Sequence, residues 1–113
     1  MWLLIIILHK EQWLDDLLSC LVEVGVESAF VGDIKQMKDV LAQEVPIFAM
    51  FKMGAKDKPG SKTIYALTDI PDVAKEITGI LRAVGLDFEK KGVGKIITLK
   101  VDSVVGAVEE DEI

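Results

Sequence analysis

The amino-acid sequence predicts an α+β fold: a ferredoxin-like βαββαβ sandwich with an insertion between the second and third core strands. Three observations predict it. Two strand-like apolar segments are each followed by an apolar stripe at helical spacing, the two halves resemble each other, and a glycine follows each predicted helix. The 113 residues suit one domain, so we expect a single domain over residues 1–113.

The first half begins with residues 2–8 (WLLIIIL), a continuous apolar run that is typical of a strand buried on both faces. Residues 11–24 then change to helical spacing. Their apolar stripe consists of Leu14, Leu17, Leu18, Leu21 and Val24. Gly25 suits the position after a helix, where φ is often positive. Residues 29–34 are the second predicted strand.

The second half begins with a strand over residues 62–68 (KTIYALT). Asp69 is the predicted N-cap of the next helix, with Pro71 in its first turn. The apolar stripe of this helix consists of Val73, Ile77, Ile80, Leu81 and Val84. Gly85 ends it, and residues 95–101 (KIITLKV) are the last predicted strand.

The two halves match at a distance of sixty positions, which pairs Leu17 with Ile77 and Gly25 with Gly85. Two strand–helix–strand halves on one sheet indicate the split βαβ arrangement. The repeat also identifies residues 35–61 as an insertion between the halves. Within it we expect a short helix at 36–43, an extended segment at 46–53 and a loop at 54–60.

The first strand has no polar face, although both helices of this fold cover the same side of the sheet. Alternate side chains of a strand point in opposite directions. One set is Leu3, Ile5 and Ile7, and the other is Leu4, Ile6 and Leu8. Because an uncovered apolar patch promotes association, we expect another subunit to cover the open face.

Composition excludes several classes of function. The net charge of −6 argues against nucleic-acid binding, which depends on clustered Lys and Arg. The acidic residues 109–113 are expected to form a solvated tail. No apolar run approaches the ~20 residues of a membrane-spanning helix, and residues 1–8 lack the features of a secretory signal. We therefore expect a cytoplasmic protein.

The chain offers few residues for catalysis or metal binding. It has one cysteine and one histidine, so a disulfide within the chain, a cysteine-based metal site and histidine-triad chemistry are not expected. Cys20 lies on the apolar side of its helix, as a small buried residue would. His9 follows the first strand and is expected at the surface. We predict no catalytic residues, no metal and no enzymatic activity.

The best candidate for a ligand site is the segment KKGVGK before the last strand. Glycine allows backbone N–H groups to approach an anion closely, and lysine supplies positive charge. The candidate ligand-binding residues are Lys90, Lys91, Gly92, Gly94 and Lys95. The alternative is that this segment is only a flexible approach to a strand, with lysines that aid solubility.

The order of elements, the loop KKGVGKII, the continuation LKVDSVVGAVEE and the helix end LVEVGV together resemble the P-II (GlnB-like) signalling protein family over residues 2–34 and 62–105. The resemblance implies a ferredoxin-like fold and a trimer with the open sheet faces turned inward. In that family a Gly-x-Gly-Lys loop wraps nucleotide phosphates at a subunit boundary. By this likeness Gly92, Gly94 and Lys95 would face the phosphates.

Other positions depart from the family pattern. P-II proteins usually carry two arginines just beyond the last core strand, and these bind the terminal phosphates. The matching positions here are Gly106 and Val108, so both positive charges are absent. Gln36 and Gln43 correspond only loosely to the glutamine at the base of the family's long loop, and the sole tyrosine, Tyr65, is in a predicted strand. These departures argue against tyrosine modification and against the usual ATP and 2-oxoglutarate sensing.

The sequence therefore predicts a divergent, trimeric P-II-like regulatory protein. It would have no cofactor, would bind a small anionic ligand such as an adenine nucleotide between subunits, and would control a partner protein of unknown identity. One alternative is a trimeric interaction module that has lost its ligand. Another is a different βαββαβ sensor, either an amino-acid-binding ACT-like domain or a CutA-like trimer with a metal at His9.

Overall fold

A computed structural model describes residues 1–44 and 60–106 of the chain. It contains four strands and three helices, with a 3-10 turn at Glu11–Trp13. The elements are β1 Trp2–Leu8, α1 Leu14–Val24, β2 Phe30–Ile34, α2 Met37–Glu44, β3 Ser61–Thr68, α3 Val73–Ala83 and β4 Gly94–Lys100. No helix in these two ranges is long and apolar enough to cross a membrane.

The strands form one antiparallel sheet in the order β2-β3-β1-β4. Ile6 of β1 lies opposite Ile64 of β3 on one side and Ile96 of β4 on the other. The first and third strands are therefore the central pair, and the second and fourth are the edges. This order confirms the predicted ferredoxin-like βαββαβ fold.

The hydrophobic core lies between the sheet and one layer made of α1 and α3. Leu4, Ile6 and Leu8 of β1 are fully buried in it. The core residues from the helices are Leu17, Cys20, Leu21, Val73, Ile77 and Leu81. Both helices therefore cover the same face of the sheet, as predicted.

Glycine ends both core helices in the same way. The φ angle is +98° at Gly25 and +102° at Gly85, in the left-handed region that favours glycine. After Gly25, the amide of Val26 donates to the carbonyl of Leu21 at 2.8 Å, and the equivalent bond after Gly85 is 2.9 Å. These bonds satisfy carbonyls of the last helical turn. Both predicted helix ends are confirmed.

The predicted N-cap of the second core helix is wrong. Helix α3 begins one residue after Asp72, which occupies the cap position with a φ of +53°. Asp69 lies too far ahead of the helix, and its carboxylate is 3.4 Å from the amino group of Met1. Pro71 lies in the turn before the helix rather than in its first turn. The turn that leaves β3 is longer than predicted, so the helix starts later.

The predicted apolar stripe of α3 is correct except at its last position. Ile77 and Leu81 are fully buried, whereas Val84 is 55% exposed. Helix α3 ends at Ala83, and the Val84 amide bonds to the Leu81 carbonyl, three residues back. This tighter last turn takes Val84 out of the helical stripe.

Most other boundaries agree with the prediction within one residue. The first predicted helix differs, because residues 11–13 form the 3-10 turn and only residues 14–24 are α-helical. The short helix expected at 36–43 is α2, Met37–Glu44. The extended segment predicted at 46–53, nearly all of the predicted loop at 54–60 and the acidic tail at 109–113 lie outside the described residues.

Candidate anion site at the loop before β4

The loop between α3 and β4 is shaped by Asp87. The Asp87 carboxylate accepts a hydrogen bond from the backbone amide of Glu89 at 2.9 Å. The backbone carbonyl of Asp87 accepts one from the backbone amide of Lys90 at 3.1 Å. Asp side chains commonly stabilise turns through such bonds to the backbone that follows. The Arg82 guanidinium lies 3.9 Å from the same carboxylate. The first part of the loop is therefore a defined turn.

The end of the loop is fixed to the end of β1. Val93 is buried at 5% exposure, and its carbonyl accepts a hydrogen bond from the amide of His9 at 2.8 Å. Gly94 has a φ of +148°, and a Cβ atom there would overlap the carbonyl oxygen of Ile7. Close approach of two backbones is thus sufficient to require glycine at position 94.

Gly92 has different surroundings. Its φ is +81°, and apart from Gly92 and its two chain neighbours no described residue has a heavy atom within 4 Å of the position that a Cβ atom would occupy. Lys90, Lys91 and Lys95 are exposed around it in sequence. At Gly92 an anion could approach the exposed backbone close to the positively charged lysines, whereas Gly94 lies against β1. The predicted phosphate-facing role therefore suits Gly92 and the lysines better than Gly94.

Two further residues lie at this end of the sheet, and sequence reasoning did not connect them. His9 Nδ1 is 2.8 Å from the hydroxyl oxygen of Ser61, across 52 positions of the chain. β1 and β3 pair antiparallel with Leu8 opposite Lys62, so the residues beyond them, His9 and Ser61, become neighbours. The pairing register of the two strands was the missing information.

Lys62 does not add a free cation to this end of the sheet. Its ammonium group pairs with the carboxylate of Asp33, the residue directly opposite on β2. The hydrogen bond to Asp33 raises the pKa of Lys62 above its usual value, and the charges of Asp33 and Glu11 add to the effect. An anion bound here would have to compete with Asp33 for Lys62.

The described residues offer neither a reactive thiol nor a cluster for a metal. Cys20 is 2% exposed, and its Sγ lies 3.7 Å from the carbonyl oxygen of Ile77. Burial raises the pKa of the Cys20 thiol, and the charge of Glu23 raises it further, so the nucleophilic thiolate is disfavoured. Within residues 1–44 and 60–106, no three His, Cys, Asp or Glu side chains group as metal ligands would.

The sheet face away from α1 and α3 is mostly apolar, with Lys95 at the end near the Gly92 loop. We call it the open face. In the strand register it carries the exposed side chains Phe30 (65%), Tyr65 (45%), Leu67 (47%) and Leu99 (50%). Leu3, Ile5 and Ile7 of β1 lie between them and are half-buried. Within residues 1–44 and 60–106, no helix covers this row, so this part of the chain presents an exposed apolar surface.

A groove of about 720 Å³ lies where the open face meets the loop before β2. It is at the end of the sheet opposite Gly92, and apolar side chains dominate its lining. They include Met1, Leu3, Phe30, Tyr65, Leu67 and Val104. Its volume is in the range of pockets that hold small molecules. The groove and the open face share residues, so an adjoining subunit would alter both.

Comparison with solved structures identifies the architecture. Arabidopsis thaliana PII bound to citrate matches with a TM-score of 0.57 and 17% sequence identity, over 99% of this chain and 91% of that one. The fold is that of PII proteins. The Bacillus subtilis GlnK-ATP complex matches with a TM-score of 0.52 and 16% identity, over 88% of this chain and 80% of that one. No family model and no curated protein matches the sequence.

The comparison confirms the predicted P-II resemblance at the level of the fold. The PII-like fold brings the loop before β4, the end of β1 and the start of β3 to one end of the sheet. Gly106, one of the two positions expected to carry arginine, is exposed at the end of the described chain, with a φ of +142°. Val108, the other position, lies outside the described residues.

Proposed function

We propose that this chain is a cytoplasmic P-II-like regulatory protein, without enzymatic activity, that binds a small anionic ligand and controls a partner protein. The open backbone at Gly92, flanked by three exposed lysines, is the observation that carries the proposal. The two PII-fold structures hold citrate and ATP, which are both anions. We take an adenine nucleotide as the first candidate ligand.

The ligand site is proposed to lie between subunits of a homotrimer. Support comes from the open face, where Phe30, Tyr65, Leu67 and Leu99 are exposed. Complete burial of a fully exposed apolar side chain stabilises by roughly 1.5–3 kcal/mol, so burial of each of these half-exposed side chains should contribute about half of that. Residues of the Gly92 loop would form one wall of the cleft, and the insertion at residues 35–61 would form another.

We propose that ligand binding changes the arrangement of the insertion and so controls the partner protein. It leaves the sheet at Ile34 and returns at Ser61, which lie opposite each other in the β2–β3 register. An anion at Gly92 would contact residues near this return point and so favour one arrangement of the insertion. Regulation of this kind requires that the ligand bind one conformer more tightly than the other.

Calorimetry with AMP, ADP, ATP and cyclic nucleotides tests the nucleotide claim. We expect Lys95→Ala to weaken binding about tenfold, because it removes a charge-assisted contact to phosphate. Lys100→Ala is the control: it removes another exposed lysine, from the far end of the same strand, and should leave affinity unchanged. If no nucleotide binds the wild-type protein, the nucleotide claim is wrong.

A second candidate is a trimeric interaction module that has lost its ligand. Gly106 favours it, because this position lacks the arginine expected to grip terminal phosphates. Crystals soaked in phosphate or nucleotide would distinguish the two proposals. An ordered anion at residues 92–95 supports the ligand-binding protein, and a trimer with no ordered anion there supports the interaction module.

A further inference from the structure

The hydrogen-bonded pair of His9 and Ser61 lies between the Gly92 loop and the root of the insertion. Through its backbone, His9 donates to the carbonyl of Val93, the residue after Gly92. Through its side chain, His9 Nδ1 lies 2.8 Å from the Ser61 hydroxyl oxygen. Ser61 is the first residue of β3, where the chain returns from the insertion. One residue thus contacts both parts of the proposed regulatory site.

The imidazole of His9 retains unused bonding capacity. The Ser61 hydroxyl bonds to Nδ1, and no hydrogen bond joins Nε2 to another residue within the described part of the chain. Imidazole is the side chain that ordinarily changes charge between pH 5 and 8, and both ring nitrogens are donors when it is protonated. A hydroxyl that accepts from Nδ1–H can still donate its own proton to an anion. The pair can therefore present two donors to one ligand.

We propose that His9 and Ser61 are additional ligands of the anion bound at Gly92, and that His9 binds it in the protonated form. This inference rests on the function proposed above and makes anion binding proton-coupled. The protein would then bind its ligand more tightly as pH falls through the range in which imidazole titrates.

The charges around His9 explain why an anion should control its protonation. The charged groups of the neighbouring elements are of both signs. They are Lys10 and Glu11 after β1, the Asp33–Lys62 pair across β2 and β3, Lys35 after β2, and Asp87, Glu89, Lys90, Lys91 and Lys95 in and after the loop. Five of these lysines lack an acidic partner among the described residues. An anion bound beside the imidazole would favour its protonated form, so proton and anion binding would support each other.

Proton NMR tests the coupling directly, because His9 is the only histidine in the chain and its ring signals need no assignment. Sulfate is the probe, since its charge does not change over the imidazole titration range. We expect saturating sulfate to raise the midpoint of the His9 titration by at least about 0.5 pH units. Correspondingly, sulfate affinity should rise by about three- to tenfold from pH 8 to pH 6.

Two variants locate the effect. His9→Gln keeps a side-chain amide that can bond to Ser61 but does not titrate, so sulfate affinity should become independent of pH. Ser61→Ala removes the second donor and should weaken sulfate binding about threefold. In this variant, sulfate should still raise the midpoint of the His9 titration. Unchanged thermal unfolding midpoints would show that both variants are folded.

The outcomes separate this inference from the function on which it rests. If wild-type protein binds sulfate or ADP but the His9 midpoint does not move, His9 is not a ligand and the proposed function stands. ADP gives a second comparison, although its own phosphate titrates in this range. If ADP affinity has the same pH dependence in wild type and in His9→Gln, His9 is again not a ligand. If neither sulfate nor any nucleotide binds at any pH, both proposals are wrong.

Discussion

At the residue scale, Gly92 and Gly94 belong to one short motif but are glycines for different physical reasons. Gly94 lies against the backbone of β1, where a Cβ atom would overlap the Ile7 carbonyl oxygen. Gly92 faces open space, and only its positive φ favours glycine. A glycine motif that suggests a phosphate loop can therefore be partly a requirement of packing.

These surroundings predict different costs for two alanine substitutions. Gly92→Ala should lower the free energy of unfolding by about 1–2 kcal/mol, the cost of a left-handed conformation for a residue with a Cβ atom. Gly94→Ala should cost at least about 3 kcal/mol, because the backbone of β1 cannot move aside without breaking strand pairs. Urea denaturation of both variants measures the difference. Equal losses would contradict the assigned role of Gly94.

At the element scale, α3 shows how the end of a helix limits what its periodicity can predict. Ile77 and Val84 are seven positions apart and would share a face on a continuous helix. The helix ends at Ala83, so Ile77 is fully buried and Val84 is 55% exposed. The spacing of apolar residues shows which face of a helix is buried, but it does not show at which residue the helix ends.

This difference predicts unequal effects of truncation on stability. Ile77→Ala should lower the free energy of unfolding by about 2–5 kcal/mol, because it leaves a cavity in the core. Val84→Ala should change it by no more than about 0.5 kcal/mol, as expected for an exposed side chain. Chemical denaturation measures both values. A loss above 2 kcal/mol for Val84→Ala would mean that Val84 packs in the core.

At the scale of the whole molecule, the two faces of the sheet differ in what covers them. The helix-facing side is closed by α1 and α3, whereas Tyr65, Leu67 and Leu99 on the open face are each close to half exposed. A contiguous exposed apolar surface commonly marks a site of association. The net charge of the chain is −6, and this charge does not change the apolar character of the open face.

We therefore expect light scattering to show a trimer at micromolar concentration. Tyr65→Glu should shift the protein towards monomer, because it places a charge in the middle of the proposed interface. Val31→Glu is the matched control: both side chains are 45% exposed, but Val31 lies on the opposite side of the sheet. A wild-type monomer, or equal effects of the two substitutions, would contradict the proposed interface.

Much of the fold could be predicted because local patterns report burial directly. The alternation and runs of apolar residues in β1 and β3 placed both central strands, and Gly25 and Gly85 placed both helix ends. Asp69 could not be predicted correctly, because residue types do not show the length of the turn between β3 and α3. Residues 69–72 separate the two elements, so Asp72 occupies the cap position instead. A residue of a type that favours N-caps becomes a cap only where the helix begins directly after it.

The candidate site divides in the same way. The sequence alone determined that glycines and lysines lie together before the last strand, because neighbours in the chain remain neighbours in space. Only the tertiary structure decided that Gly94 packs against Ile7, that Gly92 is open, and that His9 contacts Ser61. The physical reason is strand register: pairing across 52 positions brings groups together that no local pattern connects.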